Sequence, residues 1–81
     1  MKAYNGHRSY NAWNIALWIN NDEGLYNFAL ECLRALTKNG SPPSIGQAVR
    51  RFMGAFEGEK TPDGVPYTAL NVKEALRGLV E

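Results

Sequence analysis

Four groups in this chain carry side chains capable of chemistry: His7, Cys32, the neighbouring carboxylates Asp22 and Glu23, and the neighbouring arginines Arg50 and Arg51. A histidine can serve as base or metal ligand. A cysteine can serve as nucleophile. Two carboxylates in different environments can share acid and base roles, and arginines grip phosphate. Each group also has a plainer role. His7 is the sole histidine and sits in a polar arm beside Gly6 and Arg8, with no second histidine or pair of cysteines to complete a metal site. Cys32 falls on an apolar helical stripe, where a free cysteine behaves as a small hydrophobe. Asp22 and Glu23 stand where a helix should begin, and capping accounts for both. Arg50 and Arg51 suit a solvated helix face, with phosphate contact as the alternative. No glycine-rich phosphate loop accompanies them. The expectation is therefore a chain with no catalytic set, no metal site and no cofactor.

The elements that must hold these groups read as four helices with no convincing strand. The segment from Ala12 to Ile19 is apolar on all sides apart from Asn14. A helix without a polar face must be surrounded, by the rest of the domain or by a partner. Ser9 or Asn11 can cap it, and Asn21 or Asp22 can cap the next helix. In that second helix Leu25, Phe28, Ala29, Cys32, Leu33 and Leu36 form one stripe, ended by Lys38 and the Asn39-Gly40 stop. Ser44 with Gln47 predicts a capping box opening a third helix, with Ile45, Ala48, Val49, Phe52 and Phe56 on its apolar side. Residues 58–68 hold two prolines and Asp63-Gly64 and read as a loop, with a tight hairpin as the lesser alternative. Asn71 with Glu74 resembles a second capping box, leading into Val72, Ala75, Leu76 and Leu79. The expected architecture is all-α: a single domain over residues 1–81, a compact bundle of four helices with the all-round apolar first helix at its centre and residues 1–8 as a polar, aromatic arm.

Size and charge narrow the function. A chain of 81 residues buries roughly 63% of its unfolded surface, enough for one modest core but not for a deep cofactor pocket. The apolar fraction of 44% argues for a folded chain. The formal charge of +1 lacks the basic excess of an electrostatic nucleic-acid binder. One cysteine allows no internal disulfide. Residues 1–10 show no apolar run, and the longest one, Ile15 to Ile19, is too short for a bilayer. The expected location is the cytoplasm, without membrane attachment.

Two tryptophans in one short helix point to contact. Tyr4, His7, Arg8, Tyr10 and Trp18 would make an aromatic-polar patch of the kind that marks interaction sites. The alternative is that Trp18 belongs to the core and the arm lies over it.

The N-terminal third, YNGHRSYNAWNIALWINNDEGLY, resembles a signature of small proteins carried by phages, plasmids and other mobile elements. Tyr4, Asn5, Gly6, Trp13, Asn14, Leu17, Trp18, Asn21, Asp22, Glu23, Gly24, Leu25 and Tyr26 carry the resemblance. It brings no catalytic residues with it. It implies a setting in which small proteins inhibit host defence, as anti-CRISPR or anti-restriction proteins, or act as regulators. The resulting expectation is a non-enzymatic protein-binding module that occupies the surface of a host protein or nucleoprotein complex, with homodimerisation compatible. The alternative is a DNA-binding regulator using helix 45–57 with Arg50 and Arg51; direct nucleic-acid contact is the less favoured of the two.

Overall fold

A computed structural model of the chain describes residues 9–80. They form four α-helices: α1 (Tyr10–Asn21), α2 (Glu23–Arg34), α3 (Ile45–Phe56) and α4 (Ala69–Val80). Among the described residues the only β pairing is one isolated antiparallel bridge, Lys60 to Pro66. The all-α bundle expected from periodicity is what forms.

The helix ends show why the chain breaks where it does. Ser9 is extended, and its hydroxyl accepts from the Ala12 amide at 3.1 Å, starting α1. Asp22 serves both sides of the next joint. Its amide donates to the Trp18 carbonyl at 2.9 Å, closing α1, while its carboxylate accepts from the Leu25 amide at 3.0 Å, opening α2. Gly24 fits this joint closely: a Cβ there would meet the capping carboxylate oxygen at 3.3 Å. The capping box of α3 is formed as expected, with Gln47 N to Ser44 Oγ at 3.1 Å and Ser44 N to Gln47 Oε1 at 2.8 Å.

Two boundaries differ from expectation. Helix α2 stops at Arg34 instead of running to Lys38, and Leu36 is 61% exposed instead of extending the stripe. The cause comes from α3. The Arg51 guanidinium donates to the Cys32 carbonyl at 3.1 Å and to the Ala35 carbonyl at 2.6 Å, so the last turn of α2 finds its donors there and not in a further turn. Gly40, with φ of 78°, closes a separate turn on the Thr37 carbonyl. Helix α4 begins at Ala69, and Asn71 is not its cap. The Thr68 hydroxyl takes that place, accepting from the Asn71 amide at 3.3 Å, and Asn71 lies buried in the first turn.

Position in the bundle is the third difference. Helix α1 packs on α2 and α4, and α3 packs on the same two, but no Cα of α1 comes within 8 Å of one in α3. Helix α1 is therefore one wall of the bundle and not its central rod. Its inward side consists of Ala12, Ile15, Ala16 and Ile19, all buried, while Trp13, Leu17 and Trp18 are only half-buried. Small and β-branched residues occupy the inward positions of α1. Among the described residues the largest fully buried side chain is Phe52. Its ring stacks on Phe56 at 4.7 Å between centroids and meets Phe28 at 5.3 Å and Tyr67 at 5.9 Å. Aromatic packing of this kind contributes beyond the area it buries.

Between α3 and α4 the chain folds back as the tight hairpin, the lesser of the two sequence alternatives. The Thr61 amide donates to the Val65 carbonyl at 2.8 Å, and the Gly64 amide donates to the Thr61 carbonyl at 2.8 Å. Gly64 has φ of 86°, a conformation that suits glycine. Thr61, Val65 and Tyr67 turn inward and are buried.

Candidate functional site

The hairpin is tied to α1 by the polar residue in that helix's apolar run. Asn14 is fully buried. Its Nδ2 donates to Asp63 Oδ2 at 2.7 Å, and its Oδ1 accepts from Thr61 Oγ1 at 2.8 Å. The Thr61 hydroxyl also accepts from the Val65 amide at 3.2 Å. Trp18, one helical turn after Asn14, donates its indole N–H to the same Asp63 oxygen at 3.0 Å. A carboxylate is an acceptor-only group, and here it receives two side-chain donors from one helix face. The hydrogen bond from Asn14, then that from Trp18, holds the Asp63 carboxyl below the usual carboxylate range. Burial of an amide costs free energy unless its donor and acceptor are both matched. Here both ends of Asn14 are matched, by residues 47 and 49 positions further along.

This latch fixes what α1 shows to solvent. Tyr10 is 42% exposed, and its ring lies 5.7 Å from that of Trp13. Leu17 follows on the same outward stripe, half-buried. Trp18 commits its N–H to the hairpin and keeps part of its ring at the surface, so it belongs wholly neither to the core nor to an open patch. Of the five residues expected to form the patch, Tyr4, His7 and Arg8 lie outside the described residues. Tyr10 and Trp18 are not adjacent: two helical turns, about 12 Å of rise, separate them. Trp13 and Leu17, not Trp18, extend the surface from Tyr10. Asn14 is the residue of this latch that the sequence did not mark out. Its only signal was a lone amide inside an apolar run, which had to find partners somewhere.

The two arginines divide in the same way. Arg50 is exposed, whereas Arg51 is half-buried with its guanidinium on the carbonyls that end α2. Arg51 thus acts as a cap delivered from a neighbouring helix and is not available to reach a base edge. Asp22 is the capping residue at the α1–α2 joint, and Glu23 stands in the first turn of α2. Cys32 is free and buried, and desolvation pushes its thiol pKa up, outweighing the opposite pull of Arg51. Tyr67 is likewise raised by burial and then by the Asp22 charge. Among the described residues, no group of three or more His, Cys, Asp or Glu converges as a metal site. No helix among them is long and apolar enough to cross a membrane.

The fold is thus a four-helix bundle whose α3–α4 hairpin is latched to the outer flank of α1 through Asn14, Trp18 and Asp63. The chain belongs to the family of unknown function DUF7249, which matches residues 1–80. No curated protein and no solved structure matches it.

Proposed function

We propose that this protein is a small non-enzymatic protein-binding module, encoded by a mobile element, that inhibits a host defence complex of the CRISPR or restriction type by occupying its surface. The observation that carries this reading is the outward stripe of α1. Tyr10, Trp13 and Leu17 stay partly exposed on a helix whose opposite side is fully packed. Large aromatic and aliphatic side chains at a surface are the usual anchors of protein contacts. The latch supports the reading as well. It holds α1 and the hairpin in one arrangement, so little ordering is required when a partner docks. The mobile-element setting rests on the resemblance of the N-terminal third.

The test is interference in living cells. Expressed in hosts carrying active CRISPR or restriction systems, the protein should restore phage plating or plasmid uptake against at least one of them. The double variant Tyr10→Ala with Leu17→Lys should lose that effect while keeping its helical circular dichroism. Anchor residues of this kind each carry about 2 kcal/mol or more, so binding should weaken by at least about 30-fold. Full activity of the double variant, or relief of no system across a broad panel, rejects the proposal. A second copy of the chain is the competing occupant of the stripe. Sedimentation of the wild type and the double variant at high concentration distinguishes it.

A further inference from the structure

On the other side of the bundle, the connector between α2 and α3 and the first turns of α3 border an open depression of about 570 Å³. Its lining is Thr37, Lys38, Asn39, Gln47, Arg50 and Arg51: three cations, two amides, one hydroxyl, no carboxylate and no aromatic ring. The walls are held in place. The Thr37 amide donates to the Ser41 carbonyl at 2.8 Å, and the Gly40 amide donates to the Thr37 carbonyl at 2.9 Å. Lys38 and Asn39 therefore occupy the two central positions of a closed turn. Across from them Arg51 is fixed by the carbonyls of α2. Lys38 and Arg50 are exposed, and among the described residues neither has an ion-pair partner.

We infer that this depression docks the phosphate backbone of duplex nucleic acid, without reading its sequence. Every lining side chain is of a kind that donates to phosphate oxygens. A small ligand is normally enclosed over most of its surface, and so open a depression cannot enclose one. Single strands are held largely by stacking on aromatic rings, and the lining offers none. An extended polyanion crossing the depression satisfies all three observations. Lys38 and Arg50 contact phosphate, and Arg51 adds a fixed positive charge between them. This surface is independent of the α1 stripe, because α1 and α3 lie on opposite sides of the bundle.

Fluorescence anisotropy with a short mixed-sequence DNA duplex tests the inference. With two to three phosphates neutralised, affinity should fall by about 10- to 40-fold between 50 and 200 mM salt. The variant Lys38→Gln with Arg50→Gln should lower the magnitude of the log–log salt slope by about 2 and weaken low-salt binding at least about 10-fold. Both residues are exposed, so folding should be retained, and circular dichroism checks it. Lys60→Gln removes a charge at the far end of α3 and should leave binding unchanged. Tyr10→Ala with Leu17→Lys should also leave it unchanged, which separates this site from the proposed protein-binding face. No binding at low salt overturns the inference, as does an equal loss in the Lys60 variant. Equal binding to poly-glutamate at matched charge assigns the depression to an acidic protein surface instead and likewise overturns it.

Discussion

Replacing Asn14 with alanine should destabilise the protein by about 1.5 kcal/mol. The substitution strands the Thr61 hydroxyl, which is 4% exposed and donates at 2.8 Å to Asn14 Oδ1. A buried donor left without its acceptor costs about 1–3 kcal/mol. The Asp63 side of the network is open to water, so its oxygen regains solvent at little cost. Alanine is the better helix former, which returns about 0.5 kcal/mol. For a domain of this size each kcal/mol moves the melting temperature by about 4–8 °C, so the expected fall is about 6–12 °C. Thermal unfolding followed by far-ultraviolet circular dichroism measures it. Asn20→Ala is the control. That side chain lies on the same helix, is exposed, and among the described residues donates to the Ala16 carbonyl alone, at 2.8 Å. It should melt at or slightly above the wild-type temperature. If Asn14→Ala melts as high as Asn20→Ala, the latch contributes nothing and the account of α1 fails. A cycle with Thr61→Val adds a second check, with a coupling of about 1 kcal/mol between the two positions.

Three further outcomes follow from other parts of the structure. Asp63 has a lowered pKa in the folded state, so it stabilises the fold above the unfolded carboxylate value, near pH 4, and that stabilisation is lost as pH falls through the folded value. Trp18 emission during acid titration should report the loss, and Asp63→Asn should remove that step of the titration. Arg51→Ala should cost about 1.5–3 kcal/mol by leaving the carbonyls of Cys32 and Ala35 without their charged donor, and Arg51→Lys should recover only part of it. Denaturant midpoints measure both variants, and wild-type stability in Arg51→Ala would remove the capping role. Cys32 should react with a thiol reagent only as fast as the protein opens, and therefore faster in Phe52→Ala, which costs about 3–5 kcal/mol. Immediate labelling of the folded wild type contradicts its burial.

What could be read from the sequence was what neighbouring residues decide among themselves. The Ser44–Gln47 box, the Asp22 cap and the apolar spacing from Leu25 to Leu33 all act within a turn or two of helix, and all stand where periodicity and capping chemistry place them. Decisions made across the fold were not readable. The end of α2 depends on Arg51, 16 to 19 residues away, and the Asn39-Gly40 signal pointed to a stop four residues too late. The start of α4 was misplaced because both Thr68 and Asn71 can cap, and only packing selects between them. The first helix was expected at the centre because an all-round apolar pattern has two explanations, enclosure by the bundle or cover on a second flank. Here the hairpin supplies part of the second. The candidate site divided along the same line. Tyr10 was visible as an aromatic near an end, but Asn14 could not be assigned partners lying beyond residue 60.

The latch also sets an order of events during synthesis. Helix α1 is synthesised with its tryptophans and its lone amide before its partners exist, because Thr61 and Asp63 follow Asn14 by 47 and 49 residues. Until then the amide has only water to bond, and the greasy flank of the first helix has no lid. A nascent chain therefore stays open to chaperones until the hairpin has been made. Truncations that stop short of the hairpin should accumulate as such clients rather than as a smaller folded bundle.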